Sequence, residues 1–142
     1  MDVEPAMEFR ARVARVTTIP QGTGVSYGGR FVATDETRIA TLNAGYADGL
    51  PRTDGMRERG FARFGDAPLP VAGTVCMDLT MLDVSDVPGV RGGDEAVFLG
   101  PQEGALGREL ITAEEIAELT GTIPWEVLTS VSRRVPRFYR EP

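Results

Sequence analysis

The chain has 142 residues, a formal charge of −6, no histidine and one cysteine, and all fifteen of its cations are arginine. Without lysine, no side chain can hold an aldehyde cofactor covalently. Without histidine, and with Cys76 alone, a Ser-His-Asp or Cys-His catalytic set, an intrachain disulfide and a Cys/His metal site are all excluded.

The length suits a single domain of about 100–150 residues. Leu, Ile, Val and Phe supply 35 of the 142 residues, enough for a packed core rather than a disordered chain. Gly and Pro supply 27, which suits a domain rich in turns. The acidic balance argues against a nucleic-acid partner, since such modules carry a basic footprint. The first residues lack the basic start and apolar run of a signal peptide. No run of 18 apolar residues appears, so no membrane span is expected. A single cysteine fits a reducing, cytoplasmic setting.

Residues 1–6 read as a polar lead-in and residues 7–142 as one domain. From Met7 the pattern alternates: Met7, Phe9, Ala11 and Val13 face one way, and Glu8, Arg10 and Arg12 the other. That is a half-buried strand. The phase then slips, because Arg15 is polar and Val16 is not, and a bulge near Ala14 would absorb the extra residue. Extended runs follow at Val25–Ala33, Arg38–Leu42, Phe61–Phe64, Leu69–Met77, Thr80–Val84 and Glu95–Leu99. Turns are predicted at Gly22-Thr23-Gly24, Asp54-Gly55, Gly65-Asp66, Pro88-Gly89 and Gly92-Gly93-Asp94. Short strands at this spacing indicate a mainly β sandwich or barrel. Two helices come late. Thr112 and Glu115 form a capping box, with Gly121 ending that helix. Pro124 opens the second, which presents Trp125, Leu128 and Val131 on one face and stops by Pro136.

Candidate chemistry is sparse. Tyr27 and Tyr46 are flanked by glycines, which lets backbone approach a ligand or turn sharply; both also read as ordinary strand or turn residues. Gly73-Thr74-Val75-Cys76-Met77-Asp78 is an apolar run ending in a carboxylate, and Asp78 also reads as a plain turn-former. Cys76 reads as a buried small hydrophobe. Glu114, Glu115 and Glu118 read as a solvated helix face. Arg133, Arg134 and Arg137 could grip a phosphate or carboxylate, or pair with the domain's own acids.

Taken in order, Val25-Ser26-Tyr27-Gly28, Gly45-Tyr46-Ala47-Asp48-Gly49-Leu50-Pro51-Arg52, Gly73-Thr74-Val75-Cys76-Met77-Asp78, Gly93-Asp94-Glu95-Ala96-Val97-Phe98-Leu99-Gly100, Thr112-Ala113-Glu114-Glu115-Ile116-Ala117 and Arg134-Val135-Pro136-Arg137 form a set. Tyr46 lies 19 positions after Tyr27. This set resembles the C-terminal domain of the alanine racemases, a family of pyridoxal-phosphate enzymes, over about residues 7–139. The resemblance implies a β-barrel or sandwich-like domain with two short helices near its C-terminus. It also implies an N-terminal (β/α)8 barrel, not present in this chain, that holds the cofactor through a lysine. In the homodimer so implied, each C-terminal domain reaches the other subunit's barrel, and the isolated chain is expected to be inactive.

By residue, the resemblance implies Tyr27 as the catalytic tyrosine and Tyr46 as a residue lining the substrate entrance. It implies that the Met77 backbone N–H holds the substrate carboxylate, with Asp78 beside it. Some relatives carry a tyrosine where Arg133 stands, and that tyrosine bonds the cofactor phosphate. Arginine there is a departure that leaves Arg133 as a candidate phosphate ligand. The implied substrate is a small amino acid, L-alanine converted to D-alanine for peptidoglycan. Racemisation removes a proton from one face of Cα and returns it to the other, which calls for two bases. A free tyrosine ionises near pH ~10, so a cation must help it, and this chain has no lysine or histidine to do so. Two alternatives remain: a same-family racemase for another amino acid such as serine, and a non-catalytic interaction module that keeps the fold. An OB-like nucleic-acid binder is disfavoured by the charge.

Overall fold

The computed structural model describes residues 3–53, 62–64, 67–104 and 107–141. In chain order it contains β1 (Phe9–Ile19), β2 (Gly24–Val25), a 3-10 turn (Tyr27–Gly29), β3 (Phe31–Val32), β4 (Thr37–Leu42) and a second 3-10 turn (Tyr46–Asp48). Then come β5 (Ala62–Phe64), β6 (Ala67–Leu69), β7 (Thr80–Asp83), β8 (Glu95–Gly104) and β9 (Gly107–Ile111). Two helices follow, α1 (Ala113–Thr120) and α2 (Pro124–Ser130).

The sheet is built around β1, whose sequence pattern explains its geometry. Phe9, Ala11 and Val13 are buried and alternate with exposed Arg10 and Arg12. Val13 pairs with Leu42 but Arg15 pairs with Thr41, so Ala14 is the extra residue of a bulge where the hydrophobic phase slips. The strand changes partner there. Phe9–Arg12 pair with β8, and Val13–Ile19 pair with β4. Bulges bend a strand and increase its twist, so β1 serves two parts of one sheet. The order across the antiparallel sheet is β6-β5-β8-β1-β4-β7, with β9 pairing the far end of β8. β2 and β3 form a separate two-stranded ribbon.

Most buried side chains form one cluster against this sheet, and a smaller one joins Val25, Ile39 and Ala72. Phe98, Leu42, Leu82, Val13, Val84 and Val97 are fully buried, and the Phe98 ring meets Phe9 edge-on at 6.0 Å between centroids. α1 starts as its sequence indicates: Thr112 Oγ1 accepts from Glu115 N–H at 3.1 Å, and Glu115 Oε2 accepts from Thr112 N–H at 2.9 Å. Gly121 closes the helix. Ile116 and Ala117 are its buried contact with the core.

Several expectations need correction. The run Val25–Ala33 is not one strand, because the Tyr27–Gly29 turn breaks it. The run Leu69–Met77 keeps strand pairing only at Leu69 and at an isolated bridge from Val71 to Leu82; the rest turns. β8 continues past Leu99 into a hairpin with β9 that the polar Pro101-Gln102-Glu103-Gly104 stretch concealed. α2 has Pro124 in its first turn, as expected, but ends at Ser130, well short of Pro136. It meets the core through Val127 and Val131, one turn apart, whereas Trp125 and Leu128 are exposed. Trp125 lies roughly 200° round the helix from Val127, so one short helix cannot bury both. The predicted turns at Asp54-Gly55 and Gly65-Asp66, and Phe61, lie outside the described residues. Among the described residues no helix is long and apolar enough to cross a membrane, and no cluster of three His, Cys, Asp or Glu could hold a metal.

Candidate catalytic face

Tyr27, Tyr46, Met77 and Asp78 all sit on turns, and one segment, residues 73–79, ties those turns together. Cys76 N–H donates to Leu79 O at 2.9 Å, which leaves Met77 and Asp78 at the tip of a tight turn. Tyr46 N–H donates to Cys76 O at 2.9 Å, and Ala47 N–H to Met77 O at 3.0 Å. The Tyr46 turn therefore rests directly on the Met77 backbone. The approach is close enough to require glycine before Tyr46, since a Cβ on Gly45 would stand 2.1 Å from Cys76 O.

On its other side the same segment holds the Tyr27 turn. Ser26 Oγ donates to Thr74 O at 2.6 Å and lies 3.3 Å from Cys76 Sγ. Gly73 has φ +79°, and a Cβ there would meet Val25 O at 2.5 Å and Ser26 Cβ at 2.8 Å. Cys76 is thus half-buried and in polar contact, rather than the buried small hydrophobe its sequence context suggests.

All three large side chains face solvent: Tyr27 is 69% exposed, Tyr46 43% and Met77 53%. Among the described residues nothing accepts the Met77 N–H. That leaves an amide donor with no acceptor among the described residues beside exposed aromatic and thioether surface, a combination able to hold a carboxylate and an apolar group together.

Charge at this face is arranged by Arg134. Its Nε donates to Asp48 Oδ1 at 2.7 Å and its Nη2 to Asp78 Oδ1 at 2.5 Å. Asp48 Oδ2 also accepts from Gly45 N–H at 2.8 Å. One guanidinium thereby joins the Tyr46 turn to the Met77 turn. Burial pushes the Asp48 carboxyl up, but the hydrogen bonds from Arg134 and Gly45, with the Arg134 charge, outweigh it and hold it below the usual carboxylate range. The hydrogen bonds to Asp48 and then Asp78 raise the guanidinium further above its ordinary range. Of the three clustered arginines, Arg134 pairs with the domain's own acids and Arg137 donates to the carbonyls of Val131, Ser132 and Val135. Arg133 is exposed and makes no ion pair among the described residues.

Sequence reasoning assigned no role to Asp48, Ser26 or Thr74. Asp48 left a faint signal, a carboxylate three residues after the residue whose N–H it caps. Ser26 meets the Thr74 carbonyl and Cys76 Sγ, both far along the chain, and left none. An apolar cleft lined by Phe9, Leu50, Phe98, Ile116, Val127 and Val131 lies under the helices and adjoins the Tyr46 turn through Gly49.

Residues 6–139 match the family described as alanine racemase, C-terminal domain. The alanine racemase of Sorangium cellulosum (strain So ce56) is 56% identical over 141 residues, covering 99% of this chain and 37% of that protein. That of Desulfosudis oleivorans is 47% identical over 137 residues, covering 96% and 34%. The crystal structure of the Bacillus anthracis alanine racemase with bound L-Ala-P superposes with a TM-score of 0.86 at 34% identity, over 99% of this chain and 34% of that one. The Bartonella henselae alanine racemase, solved with covalently bound pyridoxal phosphate, gives 0.82 at 30% identity, over 94% and 34%. The chain belongs to the alanine racemase C-terminal domain family, and it spans about a third of the length of these relatives.

Proposed function

We propose that this chain is the C-terminal part of a cytoplasmic alanine racemase that interconverts L- and D-alanine for peptidoglycan, supplying one of two proton-transfer groups across a homodimer. The observation that carries this reading is the exposed Tyr27 on a turn anchored to the same segment whose Met77 N–H has no acceptor among the described residues. Family membership supports it. The span of about a third of its relatives leaves the rest of the enzyme, in this reading an N-terminal (β/α)8 barrel, to supply a lysine.

The donor set fits pyridoxal phosphate bound elsewhere and presented to this face. The chain has no lysine to bond it, whereas the exposed Arg133 is suited to its phosphate. When bound, that cofactor supplies an electron sink for the Cα–H bond. Tyr27 Oη takes the proton from, or returns it to, one face of Cα. The Met77 N–H holds the substrate carboxylate. Tyr46 lines the approach, and Asp78, fixed by Arg134, stands beside it. None of these residues alone distinguishes alanine from serine.

The test is Tyr27→Phe in the assembled two-domain enzyme, with deuterium wash-in from D₂O followed separately for L- and D-alanine. Loss of a positioned acid–base group costs about 10²–10⁴-fold. Exchange should collapse for the enantiomer deprotonated by tyrosine and persist for the other. Equal, small losses for both would make Tyr27 structural and end this reading. In the lone chain, added pyridoxal phosphate and borohydride should leave no stoichiometric side-chain adduct by mass spectrometry.

A further inference from the structure

Ser26 has φ +64° and ψ −163°. Among the described residues it is the only non-glycine with positive φ. This region is essentially reserved for glycine, and a side chain held there costs on the order of 1–3 kcal/mol unless its surroundings over-determine it. The surroundings do so here. The Ser26 hydroxyl donates to Thr74 O across 48 residues of chain, at 2.6 Å. Its Cβ packs where a Cβ on Gly73 would have to be. Thr74 Oγ1 reaches back to Tyr27 O at 3.5 Å, a marginal contact. Two glycines with positive φ, Gly28 and Gly29, follow Tyr27. Tyr27 is thus bracketed by backbone that few residues adopt, and the polar clamp on that bracket is the Ser26 hydroxyl.

We infer that Ser26 is a positioning residue for Tyr27: its hydroxyl holds the chain in a glycine-only conformation, and that conformation aims the tyrosine out of the turn. This rests on the proposed role of Tyr27. A serine whose hydroxyl acted in the chemistry, or one that merely filled space, would respond differently to two substitutions. Ser26→Ala keeps the Cβ and its conflict with φ +64° but removes the clamp. The turn should relax and Tyr27 should move. Ser26→Gly also removes the clamp, but glycine adopts that φ without conflict, so the turn should persist.

The experiment places Ser26→Ala, Ser26→Gly and Tyr27→Phe in the assembled two-domain enzyme and measures Cα deuterium exchange for each enantiomer, with KM and the unfolding midpoint. A displacement of about 1 Å can cost about 10²-fold. Ser26→Ala should therefore lower exchange on the tyrosine face by about 10–10²-fold, leaving exchange on the opposite face and KM near wild type. Ser26→Gly should restore the tyrosine-face rate to near wild type. Equal losses in Ala and Gly, or no loss in Ala while Tyr27→Phe is impaired, would overturn the inference and leave the reading of Tyr27 standing. A silent Tyr27→Phe would overturn both. If Ser26→Ala yields no folded enzyme, Ser26→Gly decides: near-wild-type exchange on the tyrosine face supports the conformational role, and its loss overturns it.

Discussion

Phe98 and Tyr27 stand at opposite extremes of this domain. Phe98 is 2% exposed in the centre of β8, held by side chains from several strands, whereas Tyr27 is 69% exposed on a three-residue turn. The sheet core is held by apolar contact, which is non-directional and tolerant of small shifts. The face is held by hydrogen bonds to backbone carbonyls and by glycines that admit backbone to within van der Waals distance. Stability and presentation of the candidate site therefore reside in different residues, and substitutions should separate them.

The largest effect is expected at Phe98. Phe98→Ala empties a buried ring position beside Phe9 and should cost about 3–5 kcal/mol, read as a lower urea midpoint with an unchanged slope. A cost below about 1 kcal/mol would mean the core is less tightly packed than the sheet suggests. Next is Gly45→Ala. Its Cβ would overlap Cys76 O at 2.1 Å, and backbone must move to relieve it. Overpacking of this kind costs about 1–3 kcal/mol, and the amide signals of Tyr46 and Met77 should shift together. A shift confined to Gly45 and its neighbours would break the link between the two turns.

A smaller and pH-dependent effect is expected for Asp48→Asn. The folded protein holds the Asp48 carboxyl below its ordinary value of 3.8. The stability this contributes is present above that ordinary value and is lost as pH falls through the lowered one. The gap in unfolding free energy between wild type and Asp48→Asn should therefore be widest near neutral pH and close in acid. A gap independent of pH would assign the effect to shape rather than charge. The smallest effect is expected at Trp125, which is 72% exposed on α2. Trp125→Ala should change the stability of the lone domain by no more than about 0.5 kcal/mol in the same urea titration. A larger loss would show that the ring covers core that Val127 and Val131 do not.

Much of this was legible in the sequence. The β1 alternation and its slip at Ala14, the Thr112–Glu115 capping box, Gly121 and Pro124 all lie where residue order indicates. Each is a pattern complete within a few neighbouring residues, where strand pleat, helix pitch and cap chemistry act. Motif order also sufficed for the family. The chain order of Val25–Ala33 and Leu69–Met77 misled because apolar runs there look like strands, whereas close packing between the two segments turns both of them. Tertiary structure alone decided that Ser26 reaches Thr74, that Arg134 rather than Arg133 joins Asp48 to Asp78 across 86 and 56 residues, and that α2 turns Val127 inward and Trp125 outward. The Ser26 bond goes to a backbone carbonyl, which every residue type shares, and the other outcomes depend on distances closed only when the sheet folds. No local pattern of side chains can carry them.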